Sequence, residues 1–330
     1  MNNLVHTILE EELPFGEKVF QVFRYQFEKN LIYQRFCEAL RIKPEDIRHA
    51  GDIPLLPIDA FKEGRVVTGE WDKEELMFQS SGTSGSVRSH HYVRYATVYR
   101  DSLLKGFNHF YDLSDFVFWG YTPGYADNPH SSLIWMINEL IRYDDSGLSR
   151  FLHLNETLNI AEIDKLKRSG KRLMLFGAAF GLIDLVQRKS VSLPEDAIVM
   201  ETGGMKTHRR EMSRADLHKN LADGFALPMD HIHSEYGMTE LLSQAYARGT
   251  EWFDTPPWMK ISIRNPVNPL MELADGNEGL IGILDLSNIY SCSFILTGDA
   301  GEKRPDGTFK VNGRWQKTNL RGCNFLIDRD

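Results

Sequence analysis

Between residues 95 and 225 the hydrophobic period switches repeatedly, and this alternation narrows the folds open to the chain. Helical spacing appears as Leu103, Leu104, Phe107 and Phe110 within 95–111, and as Leu133, Ile134, Ile137, Leu140 and Ile141 within 131–143. Short continuous apolar runs stand between them, such as Phe116-Val117-Phe118-Trp119. The first pattern marks amphipathic helices and the second marks strands. Strands over 150–154, 172–176 and 196–200, followed by helices over 160–168, 180–188 and 213–221, extend the series. A repeated βα order predicts an α/β fold whose parallel or mixed sheet is covered by helices.

Outside this stretch the texture differs. Residues 20–40 predict one helix, with Phe23, Phe27, Leu31 and Phe36 near helical spacing, ended by Arg41-Ile42-Lys43-Pro44. Residues 52–57 form a proline-punctuated connector with a structural role. From Ile261 onward short strands (280–286, 292–296) and a turn at Pro305-Asp306-Gly307-Thr308 predict a β-rich subdomain. No low-complexity linker intervenes, so 1–330 is expected to be one large unit, with α/β layers over about 1–260 and the β-rich part with its tail over 261–330.

The formal charge of −8 argues against a broad nucleic-acid surface. No apolar run has the length of a membrane span, and residues 1–12 carry acids without a secretory pattern. Three widely separated cysteines, Cys37, Cys292 and Cys323, make neither a disulfide framework nor a zinc set. A cytoplasmic location is expected.

Gln79-Ser80-Ser81-Gly82-Thr83-Ser84-Gly85-Ser86 stands between two short strand patterns, Leu76-Met77-Phe78 and Ser89-His90-His91-Tyr92-Val93. A glycine and hydroxyl loop exposes backbone N–H groups and side-chain donors that can surround phosphate oxygens. It lacks the Walker lysine, and alone it also fits an ordinary surface turn. Downstream, Ser234-Glu235-Tyr236-Gly237-Met238-Thr239-Glu240 offers a ring for adenine in Tyr236, a phosphate donor in Thr239 and a hard oxygen ligand for Mg²⁺ in Glu240. Leu296-Thr297-Gly298-Asp299 ends a strand on a carboxylate that can accept from both ribose hydroxyls.

Taken in order, these segments resemble the acyl-adenylate-forming superfamily, which includes acyl-CoA ligases, luciferases and nonribosomal adenylation domains. Ser80 to Gly85 resemble its phosphate loop, Tyr236 to Glu240 its Tyr-Gly-x-Thr-Glu motif, and Thr297-Gly298-Asp299 its ribose clamp. Gly203-Gly204, at a strand end, resemble the loop that packs on adenine, and Gly313-Arg314 resemble the Gly-Arg of its hinge. The acidic pair that follows that Gly-Arg is replaced here by Trp315-Gln316-Lys317, a departure that bears on the hinge. The resemblance implies ATP and Mg²⁺ as cofactors.

Acyl-CoA ligases carry a small C-terminal domain after the hinge, and this chain, ending at Asp330, is expected to lack it. Leu320-Arg321-Gly322-Cys323-Asn324-Phe325-Leu326 instead resembles the C-terminal segment of the acyl-protein synthetases of bacterial bioluminescence, components of fatty acid reductase. Gly203-Gly204-Met205-Lys206 and Ser131-Ser132-Leu133 with Met136 share that likeness. It implies that a fatty acid is activated as acyl-AMP and handed to Cys323 as a thioester, then to an acyl-CoA reductase or acyl-carrier partner. The nearby Arg314, Lys317 and Arg321 would favour a thiolate if close in space. By the residues alone Cys323 reads as a buried cysteine of a last strand. Two other readings stay open: a CoA ligase resembling phenylacetate-CoA ligase, and a nonenzymatic nucleotide-binding protein on this fold.

His90-His91 and His231-x-His233 have spacings that suit a metal but lack enough partners, and read as strand or pocket-wall residues. Trp119, Tyr121, Tyr125 and Trp135 read as core aromatics, or as the lining of an acyl pocket.

Overall fold

The computed structural model describes residues 3–10, 13–80, 87–122, 129–153, 160–188, 193–203 and 212–315. In chain order these form α1 (Asn3–Leu9), α2 (Phe15–Lys29), α3 (Leu31–Ala39), β1 (Leu56–Pro57), α4 (Ala60–Glu63), β2 (Leu76–Gln79) and β3 (His90–Val93). The alternating part follows as α5 (Ala96–Phe110), β4 (Phe116–Tyr121), α6 (Ser132–Tyr143), β5 (Arg150–Phe151), α7 (Ile160–Ser169), β6 (Arg172–Ala178), α8 (Ala179–Gln187), β7 (Ile198–Thr202) and α9 (Arg214–Phe225). Then come β8 (Ile232–Tyr236), β9 (Ala245–Ala247), β10 (Met259–Arg264), β11 (Gly279–Asp285), β12 (Phe294–Lys303) and β13 (Phe309–Arg314).

The α/β expectation holds. A six-stranded sheet has the order β5-β4-β6-β7-β8-β9, parallel throughout except for β9. Its middle strands are continuous apolar runs because both faces are buried. Phe116 and Phe118 of β4, with Met174 and Phe176 of β6, enter one core cluster. Their neighbours Val117, Trp119, Leu173 and Leu175 enter a second cluster, with α7, α8 and α9. A strand's period of two sends successive side chains to opposite faces, and helices wait on each side.

The larger cluster joins this sheet, through α5 and α6, to a second sheet of order β1-β12-β11-β10, with β13 paired to β12. That sheet holds the β-rich end of the chain. It also takes β1, pairing Leu56 with Ile295 and Pro57 with Leu296 in parallel, so the proline connector supplies an edge strand. An edge is where proline is tolerated. A two-stranded hairpin, β2-β3, completes the sheets.

The single helix expected over 20–40 is two helices, α2 and α3, parted at Asn30. Asn30 is buried, its Oδ1 accepts from Tyr33 N at 3.0 Å, and its Nδ2 donates to Ser291 O at 2.8 Å. A buried amide that caps a new helix outweighs the propensity for continuing the old one. The phase therefore restarts, and Leu31 ends exposed.

Candidate active site

The C-terminal ends of parallel strands, with the loops that leave them, form the crevice where open α/β sheets bind ligands. Tyr236 stands at that end of β8, and Thr202 and Gly203 at that end of β7. Gly203 has φ of +88°, a left-handed conformation that suits glycine. At Gly237 a Cβ would lie 2.4 Å from Glu235 Oε1, so any larger residue would have to displace that carboxylate.

The hairpin β2-β3 brings the stems of the glycine and hydroxyl loop together. Gln79 pairs with His90, Ser80 N donates to Ser89 O at 3.2 Å, and Ser89 N donates to Ser80 Oγ at 3.0 Å. Ser81, Gly82, Thr83, Ser84 and Gly85 lie outside the described residues, as do Gly204 and Cys323. From this stem the Ser89 hydroxyl donates to Glu240 Oε1. The stem of the first motif's loop is thus tied to the second motif through Ser89. Glu240 is buried, which pushes its carboxyl pKa up, while the Ser89 bond opposes that rise.

The second and third motifs touch. The Tyr236 hydroxyl donates to Asp299 Oδ2 at 3.0 Å, and its ring stands edge-on to Phe253 and Phe309. Asp299 faces Arg314 across the β12-β13 pair, and Arg314 Nε lies 3.0 Å from Asp299 Oδ1. Each carboxylate oxygen holds one protein donor and keeps a second lone pair. Asp299 N is held by Thr297 Oγ1 at 3.0 Å, and Trp315 N donates to Gly298 O at 2.9 Å. Met238, partly buried, packs against the larger core cluster.

Two carboxylates here have a setting that the sequence does not announce. Glu235 and Glu201 are buried carboxylates on adjacent strands. Glu235 accepts from the Thr202 hydroxyl, and burial pushes its pKa up to about 7 against that bond, with the Glu201 charge adding to the rise. Glu201 accepts from Ser234 Oγ at 2.5 Å and has Arg214 Nε at 3.5 Å and His218 Nε2 at 3.6 Å. Their environment comes from α9 and the neighbouring strand, which no local spacing announces. Burial likewise pushes the thiols of Cys37 and Cys292 up to about 12, in keeping with inert core cysteines.

The four histidines set aside as ligands are placed accordingly. His91 Nδ1 meets Thr239 O, His231 Nδ1 meets Ala197 O, and His233 lies between the Tyr111 hydroxyl and Asp230 O. His90 stacks on Tyr92. Among the described residues no three His, Cys, Asp or Glu side chains gather to hold a metal ion. Trp119 and Tyr121 face the second cluster, whereas Trp135 stacks on Tyr99 at 4.4 Å on the other side, so these aromatics do not line one wall. Tyr125 lies outside the described residues.

A family model described as "Acyl-protein synthetase, LuxE" matches residues 7–103 and 143–330. The long-chain-fatty-acid–luciferin-component ligase of Vibrio harveyi is 25% identical over 97% of this chain and 89% of its own length. That of Aliivibrio fischeri is 24% identical over 95% of this chain and 88% of its own. Among solved structures, 2-hydroxyisobutyryl-CoA ligase in the thioesterification state superposes with a TM-score of 0.65 at 12% identity, over 94% of this chain and 68% of that one. ATP-bound MatB from Rhodopseudomonas palustris gives 0.52 at 15% identity, over 75% of this chain and 50% of that one. These likenesses show the fold, that of adenylate-forming ligases.

Proposed function

The chain belongs to the LuxE acyl-protein synthetase family, and we propose that it activates a long-chain fatty acid with ATP and Mg²⁺ and passes the acyl group to Cys323. The observation that carries this reading is that the stem of the Ser80 loop, through Ser89, bonds Glu240 while Tyr236 bonds Asp299, all around the end of β8.

A carboxylate is a poor electrophile, and adenylation supplies a leaving group. The acid's oxygen attacks the α-phosphorus of ATP, the bond to the β-phosphate breaks, and pyrophosphate leaves. The Cys323 thiolate then attacks the acyl carbon, the carbon–oxygen bond to phosphate breaks, and AMP leaves with the thioester retained on the protein. Asp299 would hold the ribose hydroxyls on the lone pairs that Tyr236 and Arg314 leave open. Thr239 and the loop from Ser80 to Gly85 would donate to the phosphates, and Gly203 with Gly204 would admit the adenine beside Tyr236. Glu240 is a single hard oxygen donor, which fits an ion that takes one or two carboxylates and comes with phosphates. Mg²⁺ held there would neutralise the phosphate charge that the reaction develops.

The acyl thioester would pass to an acyl-CoA reductase or acyl carrier. Among the described residues no helix is long and apolar enough to cross a membrane. The proposed site of action is the cytoplasm.

Intact mass after incubation with ATP, Mg²⁺ and a panel of fatty acids, without CoA, tests the reading. The expected result is an acyl-sized, hydroxylamine-labile gain that Cys323→Ser abolishes while acid-dependent pyrophosphate exchange persists. Retention of that labile adduct in Cys323→Ser would remove Cys323 as the acceptor. AMP formation only once CoA is added would turn the protein into a CoA ligase.

A further inference from the structure

We propose that His91 and Asn288 are positioning residues that hold the segment Thr239-Glu240 from its backbone side, and so set the protein's grip on MgATP. This rests on the adenylation reading above.

Thr239 and Glu240 are consecutive, and side chains hold both of their carbonyls. His91 Nδ1 lies 2.8 Å from Thr239 O, and Asn288 Nδ2 donates to Glu240 O at 2.7 Å. The two holders also stand against each other, with His91 Nε2 3.0 Å from Asn288 Oδ1. Both are completely buried, and the imidazole stands edge-on to Phe61. Buried polar side chains that bond backbone carbonyls fix the peptide units they bind. The hydroxyl of Thr239 and the carboxylate of Glu240 project from those peptide units.

The placement of His91 adds to the case. It lies on β3, two residues after Ser89, whose hydroxyl holds the Glu240 carboxylate. One strand leaving the phosphate loop therefore grips Glu240 by its side chain and Thr239 by its backbone.

Hydrogen-bond counting shows which contact matters. Asn288 Nδ2 also donates to Cys292 O at 2.9 Å, so the amide orientation is set and its oxygen faces His91. The ring thus meets two acceptors, but a neutral imidazole has one N–H. We place that N–H on Nδ1, facing Thr239 O in the shorter contact, so Nε2 and Asn288 Oδ1 meet without a hydrogen bond. Asparagine at position 91 can place an amide N–H close to where Nδ1 stands, glutamine close to Nε2, and leucine offers neither.

The test is calorimetric titration of MgATP into full-length wild type, His91→Asn, His91→Gln and His91→Leu, with thermal melting of each. Affinity is expected within about threefold of wild type for His91→Asn, and weaker by about tenfold or more for His91→Leu, the loss of one buried hydrogen bond at a fixed site. In acid-dependent pyrophosphate exchange the KM for MgATP is expected to rise with it, and the KM for the fatty acid to stay. Wild-type affinity in His91→Leu, or equal loss in His91→Asn and His91→Leu, overturns the proposal and leaves a packing role. If His91→Leu does not fold, equal affinities of His91→Asn and His91→Gln overturn it instead. A wild type that binds no MgATP overturns the adenylation reading and this proposal with it. Binding by wild type that leucine leaves intact overturns this proposal alone.

Discussion

Tyr236 and Asp299, 63 residues apart, meet through a hydrogen bond of 3.0 Å between the tyrosine hydroxyl and Oδ2 of the carboxylate. The first ends β8 of the parallel sheet, and the second lies on β12 of the other sheet. The bond therefore joins the two sheets at the candidate nucleotide site. Arg314 closes the other side of the carboxylate.

Tyr236→Phe keeps the ring against Phe253 and Phe309 and loses only the donor. A net loss near 1 kcal/mol predicts a KM for ATP raised by about three- to tenfold. Asp299→Ala removes the acceptor for Tyr236 and Arg314 and, on the proposed reading, for the ribose as well, and is expected to cost at least about a hundredfold in kcat/KM. Pyrophosphate exchange measures both, and equal effects would deny Asp299 a role beyond holding Tyr236.

Glu240→Gln preserves an oxygen that accepts from the Ser89 hydroxyl, so the fold is expected to survive. Removal of the charge is expected to lower adenylation by about 10²–10³-fold, the scale of losing one preorganised electrostatic contact. The Mg²⁺ concentration for half-maximal rate should rise as well. An unchanged Mg²⁺ dependence would take Glu240 out of the metal's reach.

Glu235 makes stability depend on pH. Its folded pKa is raised, from 4.5 to about 7, by burial. An acid with a raised folded pKa binds its proton more tightly when folded. Its stabilisation is complete below the unfolded value and is lost as pH rises through the folded one. Between pH 4.5 and 7 the wild type should lose on the order of 3 kcal/mol relative to Glu235→Gln. Melting temperatures of the two proteins at pH 5 and pH 8 check this, and a pH-independent difference would count against it.

Asn30→Ala removes the cap of α3 and a bond to Ser291 O inside the core. A cap is worth about 1 kcal/mol and an unpaired buried partner about 1–3 kcal/mol, so a loss of about 2–4 kcal/mol is expected. It would be read as a lower urea midpoint at unchanged slope. An unmoved midpoint would mean that α2 and α3 part for another reason.

The βα series could be read from sequence because its signal is local. β4 and β6 are continuous apolar runs, α5 and α6 carry stripes, and the period of each is set within a dozen residues. The motifs at Ser80, Tyr236 and Asp299 were legible for the same reason, as short runs of particular residue types. What tertiary structure alone decided is which distant groups share a space. Asn30 breaks a helical run because Thr68 and Ser291 receive its amide, and Leu56-Pro57 become a strand because β12 presents a free edge beside them. Glu235 reads in sequence as an ordinary carboxylate, and only burial beside Thr202 and Glu201 gives it a pKa near neutrality. His91, one of a histidine pair with no evident partner nearby in the chain, turns out to lie between Thr239 O and Asn288 Oδ1, 148 and 197 residues away. A side chain's chemistry is inherited from its type, but its solvation and its partners are properties of the packed interior.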